Sequence, residues 1–242
     1  MSGHSKWHSI KHKKGAADAK RGKEFTKLGN AIAVAARDGA DPETNNRLRL
    51  AIDKAKAANM PNANIDKAIK RGSGQLGGEQ IQEVIYEGYG PGGVAVIVEC
   101  ATDNKNRTSS DVRASFSKNG GNMAETGAVS YQFDRRGIIT IEADDVDELT
   151  LRAIDEGAVD VADDDGVVTV YTDPKELAKV SDALNKDYDV KSSELGFVPQ
   201  NLVILEDEST ATKTVKLMDA LDELDDVANT YSNFDIAEGI DL

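Results

Sequence analysis

The spacing of apolar residues changes once along this chain, at the glycine-rich stretch of residues 73–78. Before it, apolar residues recur at three- and four-residue steps, the period of an amphipathic helix. Phe25, Leu28, Ile32 and Ala35 share one face of a helix predicted over residues 16–38, with Gly39 placed to end it. Asp41 and Pro42 read as the cap and first turn of a second helix, striped by Leu48, Ala51, Ile52 and Ala55. Asn59 and Pro61 break that pattern. Asn62 then caps a third helix through Ile65, Ala68 and Ile69, closed by Lys70, Arg71 and Gly72. Three apolar stripes on consecutive helices predict a three-helix bundle, and Gly74, Gly77 and Gly78 supply a linker after it.

Beyond the linker the pattern is that of strands. Residues 81–89 and 94–100 form a predicted hairpin around a Gly-Tyr-Gly-Pro-Gly-Gly turn. A helix over 105–118 follows, with Asp103 as its cap, Val112 and Phe116 one turn apart, and Asn119, Gly120 and Gly121 as its stop. Residues 129–133 read as another strand. From Gly137 the order is strand 138–141, helix 146–156, strands 159–161 and 167–171, helix 174–184 and strand 189–198, the βαββαβ order of a ferredoxin-like split fold. Asp173, Pro174 and Glu176 mark the start of its second helix. A strand over 202–205, a helix striped by Leu217, Leu221 and Leu224, and a strand-like segment over 227–236 remain. These leftovers need a sheet, and the second domain has an unfinished ββαβ set. The expected architecture is therefore α+β and multidomain: an N-terminal three-helix bundle followed by two ferredoxin-like-type α/β domains, the third inserted into the second. The expected boundaries are 1–78, 79–136 plus 200–242, and 137–199.

Composition agrees with several small modules, since 39% hydrophobic and 5% aromatic residues, with one Trp and five Phe, are lean for one thick core. No apolar run approaches the roughly 20 residues that span a bilayer, and the basic N-terminus lacks the apolar stretch of a signal peptide, so a cytoplasmic protein without membrane contact is expected. The single cysteine, Cys100, lies in an apolar strand and reads as a small buried hydrophobe. The net charge of −14 conceals a segregation. Residues 1–72 hold 16 Lys+Arg against 7 Asp+Glu, a charge of +9, and residues 73–242 hold 13 against 36, a charge of −23. An acidic body repels phosphate, so nucleic-acid contact is expected at the basic end.

Lys6, Lys11, Lys13, Lys14, Lys20, Arg21, Lys23 and Lys27 crowd the start of the chain, with Trp7 among them. Cations that follow a phosphate backbone beside an indole that stacks on a base suit single-stranded or looped RNA, and also the edge of a DNA groove. His4, His8 and His12 are spaced to share a helical face, but Gly3, the serines and the flanking lysines argue against a metal site, so His4 and His8 are expected to add hydrogen bonds to phosphate. No segment carries Arg, Asn and Gln at the spacing of a base-reading helix. The body contains no histidine and Cys100 sits within a strand, so neither Ser-His nor Cys-His catalysis can be assembled there, and no enzyme is expected. The run Asp163, Asp164, Asp165 reads as a charged hairpin loop rather than a cation site. Asp103, Asn104, Lys105 and Arg107 stand at a helix start, where they either touch a partner or simply cap and face solvent.

Three segments resemble a known family. GHSKWHSIKHKKGAADAKRGKEFTKL is similar to the opening of the YebC/PmpR family, which includes the mitochondrial translational activator of cytochrome c oxidase subunit one. YEGYGPGGVAVIVECATDNKNRTSSDVR and NGGNMAETGAVSYQFDRRG resemble further motifs of that family, and the element order agrees to the C-terminus. The resemblance implies three domains, a cytosolic location and no cofactor. It implies a role either as a DNA-binding transcriptional regulator or as a ribosome-associated, RNA-binding translation factor. An adaptor that docks basic proteins on its acidic sheets is the reading from a different class. The oligomeric state is not indicated.

Overall fold

The computed structural model describes residues 21–77, 80–143, 145–164, 166–237 and 239–240, without the side chains of Arg21 and Asp164. It is a mixed α/β structure with seven α-helices, two four-stranded antiparallel sheets and one two-stranded parallel pair among the described residues. These residues form two compact units, one of residues 133–202 and one of the rest.

The larger unit begins with α1 (Arg21–Ala35), α2 (Asn46–Ala57) and α3 (Asn62–Gly72). Leu28, Ile32, Leu48, Ile52, Met60 and Ile65 are buried together, so the apolar stripes do meet. The end of α3 presses on α1 so closely that a Cβ on Gly72 would stand 2.0 Å from the carbonyl oxygen of Ala33. The start of α2 differs from the expected Asp41–Pro42 cap. Asp41 closes a turn by accepting the Glu43 N–H, and Asn45 is the cap, accepting the Leu48 N–H at 3.0 Å. The Asn45 amide also donates at 2.8 Å to each of the Ala35 and Gly39 carbonyls, bonds a carboxylate cannot make. Pro61, not Asn62, precedes α3, and it offers no side-chain cap.

The sheet of this unit holds β1 (Gln82–Tyr89), β2 (Ala95–Thr102), β3 (Asn122–Ala124) and β9 (Val227–Ser232) in the order β3-β1-β2-β9. The helices α4 (Lys105–Lys118) and α7 (Glu208–Asp222) pack on it. Phe116 of α4 fills the space where Gly88 lacks a side chain, on the face of β2 that carries Val96 and Val98. Ala33 and Val34 of α1 are buried against Ala101 and Ile81, so the helical segment belongs to the same unit as the sheet. Of the expected strand over residues 129–133 only Phe133 lies in a strand; the rest is a turn, with a 3-10 segment at Ser130–Gln132, because the Glu87 carboxylate takes the N–H groups of Gly127, Val129 and Ser130. The segment over 227–236 is two strands. Asn233 separates β9 from β10 (Phe234–Ile236), which pairs in parallel with β8 (Val203–Leu205). The Asn233 side chain accepts the Ala95 N–H at 2.8 Å and donates to Gln132 at 3.1 Å.

The smaller unit runs β4 (Phe133–Glu142), α5 (Val146–Glu156), β5 (Ala158–Asp164), β6 (Val167–Thr172), α6 (Leu177–Leu184) and β7 (Val190–Pro199), with strand order β5-β6-β4-β7. All three pairings are antiparallel. Helix α6 starts three residues later than Pro174. No side chain caps it, and the Asp173 carbonyl accepts the Glu176 N–H in a turn before it.

Candidate nucleic-acid interface

Most of the candidate phosphate contacts, His4, Lys6, Trp7, His8, Lys11, Lys13, Lys14 and Lys20, lie outside the described residues, and Arg21 is described as the first residue of α1 without its side chain. Lys23 and Lys27 sit one turn apart on α1. Their ammonium groups donate to the carbonyl oxygens of Glu223, at 3.3 Å, and Asp222. Those carbonyls belong to the C-terminal end of α7, where backbone acceptors lack intrahelical partners and the helix carries partial negative charge. Lys27 is half-buried there and Lys23 exposed. Two members of the basic run are thus bound to the second half of the unit, a relationship between residues about 195 apart that no local pattern displays.

The described helices add cations the candidate set omitted. Lys54 and Lys56 occupy the last turn of α2, and Lys67, Lys70 and Arg71 lie on α3, all exposed. Over residues 46–72 there are seven Lys+Arg against Asp53 and Asp66. The basic character therefore runs through the folded helices and is not confined to the first 27 residues.

Asp103, Asn104, Lys105 and Arg107 are brought to one place. Asn104, not Asp103, caps α4, accepting the Arg107 N–H at 3.1 Å. Asp103 is divided between two arginines, Arg71 of α3 at 2.9 Å and Arg107 of α4 at 3.1 Å. Arg107 also grips both oxygens of Asp226, at 2.9 and 2.8 Å, and its pKa is raised first by that hydrogen bond and then by the attraction of the same carboxylate. Asp226 accepts in addition from the Thr108 hydroxyl at 2.7 Å and the Thr102 hydroxyl at 3.3 Å. Lys105 contributes its carbonyl to the Tyr86 hydroxyl at 3.1 Å. A polar depression beside this cluster is lined by Gln80, Gln82, Asp103, Asn104, Lys105 and Asn106. Among the described residues no three or more His, Cys, Asp or Glu are grouped to hold a metal ion. Burial and the nearby Asp226 charge push the Cys100 thiol up to about 12, which leaves it protonated and unreactive.

The family model of the TACO1/YebC protein N-terminal domain matches residues 5–75, and that of the TACO1/YebC second and third domain matches residues 81–234. The chain belongs to the TACO1/YebC family. Its TACO1/YebC relatives include a probable transcriptional regulatory protein of Persephonella marina, 52% identical over 243 residues, covering 98% of this chain and 97% of that protein. Another, from Geobacter sulfurreducens, bears the same description and is 54% identical over 240 residues, with the same coverage of 98% and 97%. A solved structure, that of a conserved hypothetical protein from Aquifex aeolicus, superposes with a TM-score of 0.91 at 50% identity, covering 98% of this chain and 99% of that one.

Proposed function

We propose that this TACO1/YebC protein is a non-enzymatic regulator of gene expression that binds nucleic acid through residues 4–71, with DNA at transcription as its first target. The observation that carries this reading is the segregation of charge, a basic helical segment on an otherwise acidic chain. The description of the relatives as probable transcriptional regulatory proteins supports the regulatory role. The inert Cys100 thiol and the confinement of histidine to positions 4, 8 and 12 support a non-catalytic role. No helix among the described residues is long and apolar enough to cross a membrane, in keeping with action in the cytoplasm.

Ribosomal or transfer RNA is the second reading, favoured by Trp7 within its cationic run, because an indole stacks readily on unpaired bases. We also infer that residues 137–199 form a domain inserted into one made of 79–136 and 200–242, and the antiparallel pairing of β9 with β2 supports it. Crosslinking in growing cells, followed by sequencing of the attached nucleic acid, tests the function. Recovery of promoter DNA supports the first reading and recovery of ribosomal or transfer RNA the second. Recovery of no nucleic acid leaves the acidic protein-binding adaptor.

A further inference from the structure

The acidic body carries one stretch where the charge reverses. From Asn104 to Ala124 there are four cations, Lys105, Arg107, Arg113 and Lys118, against the single acid Asp111, whereas residues 73–242 as a whole hold 36 acids and 13 cations. All five of these charges lie on α4. Arg107 is engaged with Asp103 and Asp226, but Lys105, Arg113 and Lys118 are exposed and make no ion pair among the described residues.

The outward face of α4 is unusual for a helix. Asn106, Ser110, Arg113 and Ser117 stand at steps of four, three and four residues, all exposed, while Val112 and Phe116 face the sheet. Solvent faces favour Ala, Glu, Lys and Gln, which keep helix propensity high, and Ser and Asn lower it by competing for backbone hydrogen bonds. A face that gives up propensity for short donors beside cations has the chemistry of a phosphate contact, which recruits Arg and Lys with Ser and Asn. Nor is the face isolated. Arg71 of α3 meets Asp103 just before α4, and Lys67 lies four residues before Arg71 on the same side of α3. The basic end of α3 therefore adjoins the start of α4 within one compact unit.

We propose that α4 is a second contact for a nucleic-acid backbone, continuous with the basic end of α3, in which Lys105, Arg113 and Lys118 pair with phosphates and Asn106 and Ser110 donate hydrogen bonds to them. The inference rests on the nucleic-acid reading above and extends the interface from the helical segment onto the sheet-bearing part of the unit.

The test compares the full chain with its K105Q/R113Q/K118Q variant, binding a mixed-sequence DNA duplex and a single-stranded RNA over a range of salt. On whichever probe binds, the plot of log affinity against log salt should flatten by about two to three units, as three lost phosphate contacts require, and affinity at low salt should fall roughly ten-fold or more. A K175Q/K179Q/K186Q variant removes the same charge from the smaller unit and should leave the slope in place. An unchanged slope in the first variant overturns the inference, as does an equal change in both, which reflects net charge alone. If the unaltered chain binds neither probe, the nucleic-acid reading fails and takes the inference with it. Unchanged unfolding midpoints for both variants establish that the exposed substitutions left the fold intact.

Discussion

Glu87 and Val129 are held together by a 2.7 Å bond from a backbone N–H to a carboxylate oxygen, and the same carboxylate takes the N–H groups of Gly127 and Ser130. Glu87 is only 3% exposed. Burial alone would raise its pKa, but the backbone donors outweigh burial and hold it below the usual value. A carboxyl with a depressed folded-state pKa adds stability that is fully present above its unfolded-state value, near 4.3, and that is lost as pH falls below it. Glu87→Gln should lower stability at neutral pH by about 2–3 kcal/mol, because a charge-assisted acceptor of three N–H groups becomes an amide. Urea denaturation at several pH values should show the variant's deficit shrinking below about pH 4. A deficit independent of pH would mean that the Glu87 charge has no part in anchoring the turn.

The Gly72 contact with Ala33 leaves no room for a methyl group. Gly72→Ala should force α3 away from α1 and cost about 3 kcal/mol in chemical denaturation, within the range of overpacked sites. Gly74 is the informative neighbour. It has a φ of +78° with open space around it, so Gly74→Ala should cost only about 1–2 kcal/mol, from the left-handed backbone alone.

Asp103 and Asp226 both hold Arg107 but should differ in weight. The Arg71–Asp103 pair is 40% and 32% exposed, and a pair so hydrated is worth about 0–1 kcal/mol. Asp226 is 15% exposed and also serves two threonine hydroxyls, so Asp226→Ala should cost about 2–4 kcal/mol and Asp103→Ala no more than about 1. Thermal melts of the two variants check the order, and equal losses would contradict it.

Binding and stability should separate within the basic run. Neutralising Lys11, Lys13, Lys14 and Lys20 should leave the unfolding midpoint in place while flattening the salt dependence of nucleic-acid affinity by about 0.7–0.9 units for each phosphate contact removed. Trp7→Ala should weaken binding by roughly 1–3 kcal/mol per stacked base at every salt concentration without altering the slope. Lys27→Gln should act on stability, because its ammonium group holds the end of α7. Calorimetry beside filter binding on the same variants distinguishes the three behaviours, and a Lys27 variant with an unchanged midpoint would remove the stabilising role of that contact.

The helical stripes and the alternation of the longer strands were readable because each is a local period, and Leu28, Ile32, Leu48, Ile52 and Ile65 all reach the helical core. What escaped was settled by distant partners. Asp41 and Asn45, or Asp103 and Asn104, are equally able caps on paper. Asn45 wins because only an amide can also donate to Ala35 and Gly39, and Asp103 is drawn off by Arg71. Residues 129–132 read as part of a strand because nothing nearby discloses that Glu87 will occupy the N–H groups of Val129 and Ser130. Strand β3 has three residues, none fully buried, and so left no pattern. In the candidate interface Lys23 and Lys27 are indistinguishable by sequence from their basic neighbours, because the end of α7 that they cap is nearly two hundred residues away.

The place of β9 bears on how the protein is made. Strand β2 is buried almost throughout, with the run Ala-Val-Ile-Val as its first half, and one of its two edges is covered by β9 and the residues flanking it, Asp226 and Asn233. About 125 residues separate the end of β2 from the start of β9, which at 5–20 residues per second is on the order of ten seconds of synthesis. Throughout that interval the nascent chain exposes an apolar strand edge with free backbone donors and acceptors, a template for pairing with any other unfinished copy. Slow translation beyond residue 133 should therefore raise the demand for chaperones, while the finished protein, with that edge covered, has no such need.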